Sequence, residues 1–214
     1  MHAWRQSYAI FKERDFRRRF VLALLLFICA GFINFYAGTY ATREVSSPVT
    51  DIILSNTRVY NVQGIFIYGA DVLILFIAFL SFLRPKRLPF VLFALSTFIF
   101  IRSGFITLTH IAPFPQHVPL DDLGEISSRF TFGGDLFFSG HAGIPFLMAL
   151  LFWRNAVLRY LFIFWSIFFG IIVLLGHIHY TIDVASAYFI TYSIYHIACY
   201  FFPKDQELFE ETVG

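Results

Sequence analysis

Charge is what this sequence has least of. Only 14% of its 214 residues are Asp, Glu, Lys or Arg, where soluble domains carry about 25%. A soluble chain with 58% hydrophobic residues would have to expose large apolar patches, so the shortage of charge excludes an ordinary soluble domain. Cysteine is almost missing too. Cys29 and Cys199 both lie in apolar runs, too far apart in sequence to read as a metal motif, and two cysteines make no disulfide framework. The net charge of +2 offers no basic excess for a nucleic-acid partner. No internal repeat or low-complexity tract is present. The first apolar run lacks a small-residue cleavage site and is too long to read as a removed signal peptide.

What is abundant is apolar length. Phe alone occurs 30 times. A membrane-spanning helix needs about 20 mostly apolar residues, and six stretches are candidates. They run from about Phe20 to Tyr40, Val62 to Leu83, Leu88 to Ile111, Ser139 to Trp153, Leu158 to His177 and Tyr180 to Phe202. The fourth is short enough to begin in a recess below the membrane surface. The expected fold is therefore all-α and integral to the membrane: a six-transmembrane-helix bundle. Residues 1–19 form a basic N-terminal segment, 20–202 the catalytic bundle, and 203–214 a tail. The connection from about Ala112 to Phe138 holds Pro113, Pro115, Pro119, Gly133 and Gly134, which argues against one regular helix there.

Basic residues in short loops set the orientation. Arg5, Lys12, Arg14, Arg17, Arg18 and Arg19 precede the first span. Arg84, Lys86 and Arg87 lie between the second and third, and Arg154 and Arg159 between the fourth and fifth. Six spans put these segments on one side, expected to be cytoplasmic together with both termini. His110, His117, His141, His177 and His179, five of the seven histidines, then gather at the periplasmic or lumenal face.

Two motifs carry chemistry. GDLFFSGHA, Gly134 to Ala142, leads into the fourth span. Ser139 and Gly140 stand where a helix N-cap would be, and free amides at a helix start favour an anion such as phosphate. His141 falls in the first turn beside it. The alternative is a helix cap followed by an incidental histidine. GHIHYTIDV, Gly176 to Val184, opens the sixth span. His179 and Asp183 are four apart, so on a helix they share one face. A carboxylate on one imidazole nitrogen fixes the tautomer and makes the other nitrogen more basic. The alternative is a structural polar pair, but ionisable groups at membrane depth are functional by default. Two histidines, an orienting acid and an anion cradle suit phosphoryl transfer through a phosphohistidine. The scheme needs no metal and no cofactor.

GDLFFSGH and GHIHYTIDVASAYFIT resemble the sphingomyelin synthase family, within the superfamily of type 2 phosphatidic acid phosphatases. Weaker similarity reaches Arg102, Thr109 and Pro113 and touches Pro48 and Asp51, so the resemblance extends over about Val45 to Phe202. It implies a lipid phosphatase/phosphotransferase core, with His179 as nucleophile and Asp183 supporting it. His141 would protonate the leaving diacylglycerol and then activate the acceptor hydroxyl, and Asp135 would tune His141. The superfamily's phosphatases carry an arginine six residues before the second catalytic histidine. That position is Val173 here, a departure that favours the synthase branch.

Asp71 and Arg102 lie inside the second and third spans, about 12–14 residues from their cytoplasmic ends, or roughly 18–21 Å at the helical rise. A lone charge at that depth costs several kcal/mol. The two are expected to pair, or to line the chamber beside the substrate phosphate; the resemblance matches Asp71 to an acidic residue of the family's second span. A purely structural ion pair is the competing reading. His177 reads as a rim residue, because an HxH metal site lacks further ligands. His110 and His117 read as loop residues. His196 lies near the opposite interface.

The leading expectation is a transfer of phosphocholine or phosphoethanolamine from a glycerophospholipid donor to a lipid alcohol such as ceramide or diacylglycerol. Water in place of the lipid alcohol would give a phosphatase or phospholipase C-like hydrolase. A lipid-binding protein with relic motifs should have lost one of His141, His179 and Asp183, and all are present. A proton-relay transporter would need polar residues along a whole path, and the cytoplasmic halves of the spans nearly lack them. Donor, acceptor, compartment and oligomeric state are not written in the sequence.

Overall fold

A computed structural model describes residues 8–119 and 133–213. Among the described residues every regular element is a helix. Seven α-helices follow in chain order: α1 (Arg14–Arg43), α2 (Gln63–Leu83), α3 (Leu88–Leu108), α4 (Gly140–Leu151), α5 (Ala156–Leu175), α6 (Thr181–Phe201) and α7 (Pro203–Glu210). Short 3₁₀ turns occur at Ala9–Lys12, Leu54–Asn56 and Pro85–Arg87.

The first six coincide with the six apolar stretches, but they are not equivalent as spans. By length and composition, α1, α2, the Pro85–Leu108 stretch containing α3, and α5 are long and apolar enough to cross a membrane. The chain is thus a helical protein with membrane character, and the count of six spans goes beyond this. Helix α4 has 12 residues, about 18 Å at the helical rise, against a hydrocarbon thickness of roughly 30 Å. Helix α6 has 21 residues but mixes Thr, Asp, Ser, Tyr and His into its apolar run. Helix α1 has 30 residues and begins at Arg14, well before the expected Phe20. Arginine is a good helix former, so the basic segment simply continues the apolar helix.

Packing follows side-chain size. Helix α1 buries Ala23, Ala30, Ala37, Gly38 and Ala41 while exposing Leu22, Leu25, Phe32 and Tyr36. Small residues let helix backbones approach closely where solvent gives no hydrophobic drive. Ala37 and Ala41 meet Ile106 of α3 there. Helices α4 and α5 form a tight antiparallel pair, and α6 packs on α4 and α3. Phe98, Phe138, Leu147, Met148, Phe162, Phe169 and Val173 belong to the core they share. Helix α2 buries Phe66, Leu73, Ile77, Leu80 and Ser81 and leaves much of its remaining surface open.

The basic segments meet at one end, where they hold α7. Arg19 pairs with Asp205, Lys86 with Glu211 at 2.7 Å, and Arg154 with Glu210 at 2.8 Å. Arg87 is buried. It donates to Thr212 Oγ1 (2.9 Å), the Thr212 carbonyl (2.7 Å) and the Leu80 carbonyl (3.0 Å), and it lies over the Phe152 ring. Phe209 is buried between Phe90 and Phe152. The tail is therefore a docked helix rather than a loose extension. The opposite, histidine-bearing end is closed by loops. Ser46 bonds to the His110 carbonyl at 2.7 Å, Tyr60 to Leu175 at 2.9 Å and Val118 to Gly176 at 3.0 Å.

Candidate active site

Two helix starts build the site, and each is reached by a strained or crowded approach. The first is the start of α4. Gly134 packs so closely on the end of α1 that a Cβ would sit 2.7 Å from the Ala41 carbonyl oxygen. Its amide donates to Thr42 Oγ1 at 3.2 Å. The next residues are gathered by Arg102 of α3. Its Nη1 meets Asp135 Oδ2 at 3.1 Å, its Nη2 the Asp135 carbonyl at 2.6 Å, and its Nε the Phe138 carbonyl at 2.8 Å. Ser139 then caps α4, its Oγ accepting from the Ala142 amide at 3.4 Å. A Cβ on Gly140 would lie 3.7 Å from Arg102 Nε, so the guanidinium stands beside the cap. His141 occupies the first turn. Its ring stacks on Phe66 of α2 with centroids 4.0 Å apart and meets Phe169 of α5 edge-on at 5.7 Å.

The second start is that of α6. Helix α5 ends at Gly176, and His177 takes a left-handed backbone with φ 51°, an uncommon conformation for a side chain with a Cβ. Both of its ring nitrogens are engaged, Nδ1 with the Gln116 carbonyl at 2.7 Å and Nε2 with Thr57 Oγ1 at 3.2 Å. The chain thereby turns back within a few residues, and Tyr180 becomes the N-cap of α6. Asp183 closes the turn: its Oδ2 accepts from the Tyr180 amide at 2.9 Å.

His179 therefore precedes the helix. The expectation that it shares a helical face with Asp183 has the contact right and the reason wrong. The two meet because the capping box folds Asp183 back towards the chain before the helix, with His179 Nδ1 3.5 Å from Asp183 Oδ2. Both side chains are buried, and His179 Nδ1 and Asp183 Oδ1 are without hydrogen-bond partners among the described residues. Proton on Nδ1 towards Asp183 would leave Nε2 with its lone pair.

The two starts are joined directly: the Ser139 amide donates to the Asp183 carbonyl at 3.1 Å. His141 lies within electrostatic range of His179 and Arg102, and Asp135 within range of Arg102 and His179. Ser139, Gly140, His141, Arg102, Asp135, His179 and Asp183 thus converge at one place. Asp71 does not join them. It is exposed on α2, and among the described residues Arg102 pairs with Asp135 instead. The expected Asp71–Arg102 pair is replaced because the loop before α4 brings its own carboxylate to the guanidinium. Val173 is buried in the core, so the superfamily arginine has no stand-in at that position. The site's arginine arrives from α3.

The remaining histidines fall aside. His177 spends both nitrogens on loop anchoring, and no cluster of three His, Cys, Asp or Glu able to hold a metal occurs among the described residues. His110 packs on Tyr40 and His117 bonds its own loop. His196 lies between Tyr192 and Tyr195 on α6. Sequence reading missed Phe66 as the floor under His141, since nothing in an apolar run distinguishes one phenylalanine from another.

Residues 133–200 match the family model described as PAP2 superfamily C-terminal. The match takes in both helix starts and stops short of α1, α2 and Arg102. It supports the type 2 phosphatidic acid phosphatase superfamily, whose members are typically enzymes acting on phospholipids, and it does not resolve the sphingomyelin synthase branch. No curated protein and no solved structure matches the chain.

Proposed function

We propose that the chain is an integral membrane phosphotransferase that moves a phospholipid head group through a phosphohistidine. The observation that carries this reading is the convergence of His141 and His179, from separate helix starts linked by the Ser139–Asp183 bond. In the first half-reaction His179 Nε2 attacks phosphorus. The bond from phosphorus to the diacylglycerol oxygen breaks, and His141 gives that oxygen its proton. In the second, His141 takes the proton from an acceptor hydroxyl, whose oxygen displaces His179 from phosphorus. Asp183 holds the His179 ring and stabilises its charge as the phosphorus bond forms. The amides at the start of α4 face the phosphate oxygens, with Arg102 close by. Arg102 also builds the loop that places them.

The donor would be a phosphocholine or phosphoethanolamine lipid and the acceptor ceramide or a related lipid alcohol. The donor and acceptor lie in the membrane, with the site at the periplasmic or lumenal face and both termini in the cytoplasm. Asp71 stands apart from this scheme. The PAP2-type match favours one alternative: water attacks the phosphohistidine and the chain is a lipid phosphatase or phospholipase C-like hydrolase.

The deciding experiment uses purified protein in liposomes containing a phospholipid labelled in its head group, with ceramide or diacylglycerol as acceptor. Label on a second lipid supports transfer, and label in solution supports hydrolysis. His179→Ala should abolish both, and unchanged turnover would remove His179 from the mechanism.

A further inference from the structure

The first outer loop supplies no group to the chemistry just described, yet one of its side chains is bonded into the start of α6. Asp51 is only 8% exposed and has both carboxylate oxygens engaged. Oδ1 accepts from the amides of Ile53 (2.9 Å) and Leu54 (3.1 Å) and from Thr181 Oγ1 (2.8 Å). Oδ2 accepts from the Thr181 amide at 2.7 Å. Thr181 is the first residue of α6, midway between His179 and Asp183. Its neighbour Tyr180 is tied from the same side, its hydroxyl donating to the Ala112 carbonyl at 2.8 Å and accepting from the Val49 amide at 3.2 Å.

Two carboxylates therefore serve one helix start. The leading amides of a helix have no intrahelical acceptor, and an acidic side chain nearby will turn towards them. Asp51 satisfies the Thr181 amide, so Asp183 serves only the Tyr180 amide, through Oδ2; that same oxygen faces His179 Nδ1 at 3.5 Å, and Oδ1 has no hydrogen-bond partner among the described residues. We infer that Asp51 is a positioning residue for the His179–Asp183 pair: by capping Thr181 from another loop it keeps Asp183 from being spent on that amide. The inference rests on the proposed role of His179 and names the device that holds that histidine's partner in register. Without Asp51, the bare Thr181 amide draws Asp183 away and the His179 ring loses its restraint.

The test compares wild type with Asp51→Asn and Thr181→Val, each as the full chain in liposomes and assayed well below its own unfolding transition. Asn keeps the size of Asp51 and removes the second acceptor oxygen. Val removes the Thr181 hydroxyl and keeps its amide. The first readout needs no turnover: carbethoxylation of His179 by diethyl pyrocarbonate, followed by peptide mass spectrometry. His179 should label several-fold faster in Asp51→Asn and slightly faster in Thr181→Val, with exposed His117 as an unchanged reference. Equal labelling of His179 in all three proteins overturns the inference. If Asp51→Asn fails to fold, Thr181→Val decides alone on the same criterion.

The second readout is the turnover number with head-group-labelled phospholipid. It should fall about tenfold to a hundredfold in Asp51→Asn with KM nearly unchanged, as expected when a reacting group is misplaced by about 1 Å. In an Asp183→Asn background the same substitution should cost little, because the pair is already broken. An equal fold-loss in both backgrounds marks a general structural role and overturns the inference. A wild type that turns over no lipid defeats the proposed function, while the labelling comparison still judges Asp51.

Discussion

At the basic end, Arg19, Lys86 and Arg154 pair with carboxylate side chains of α7 and the turn after it, whereas at the histidine end Asp51 and Asp183 bond mainly to backbone amides. Side-chain ion pairs leave the backbone free to find its own course and tolerate small shifts. Carboxylates on amides fix the backbone itself. The difference teaches that one end is held for cohesion and the other for geometry. Damage at the first should lower stability with activity per folded molecule preserved. Damage at the second should do the reverse.

Removing His179 is the largest break. His179→Ala should reduce turnover by at least about a thousandfold, in line with loss of a nucleophile from a coupled set, with thermal unfolding scarcely moved. Arg102 tests whether the division between ends is clean, since it is buried and also stands at the site. Arg102→Met leaves Asp135 unpaired and frees two carbonyls, so chemical or thermal unfolding should register a loss of about 3–5 kcal/mol. Its residual folded fraction should be nearly inactive. At the other end, Arg87→Ala deletes three hydrogen bonds from a buried cation and should cost about 2–3 kcal/mol, with the turnover of the folded fraction unchanged. A fall in that turnover would break the comparison.

Acid sharpens it. Burial alone would raise the Asp51 carboxyl, but its hydrogen bonds to Thr181, Leu54 and Ile53 outweigh burial and hold it below the ordinary 3.8. A depressed folded value means that its contribution is complete above pH 3.8 and is lost as pH falls through the folded value. Unfolding scans from pH 6 downwards should show an acid-side loss in wild type that is reduced in Asp51→Asn. The smallest effect belongs to Glu211→Gln, which breaks an exposed pair with Lys86 and should change stability by less than about 1 kcal/mol.

Much of the helical frame was legible because apolar runs of the right length leave few choices. The ends of α2, α5 and α6 fall within two or three residues of the hydropathy boundaries. Helix α1 was mis-started because arginine looks like a loop to a hydropathy reading and like a helix former to the backbone. Helix α7 was invisible: its eight residues are mostly polar, and what seats it is Phe209 together with basic side chains from distant stretches of chain. At the site, SGH and HYTID mark the two helix starts that the Ser139–Asp183 bond joins. The partner of Arg102 was not legible, because two carboxylates competed for it and only folding of the 134–138 segment decides. Asp51 lies 130 residues from Thr181, and no spacing rule spans that distance.

The docked tail has a mechanical consequence. Arg19, Lys86, Arg87 and Arg154 come from three separate stretches of chain, and all of them grip α7 or the turn after it. The bundle is thus pinned like a clothes-peg at its spring. A load that spreads the helices therefore meets its stiffest resistance at this end.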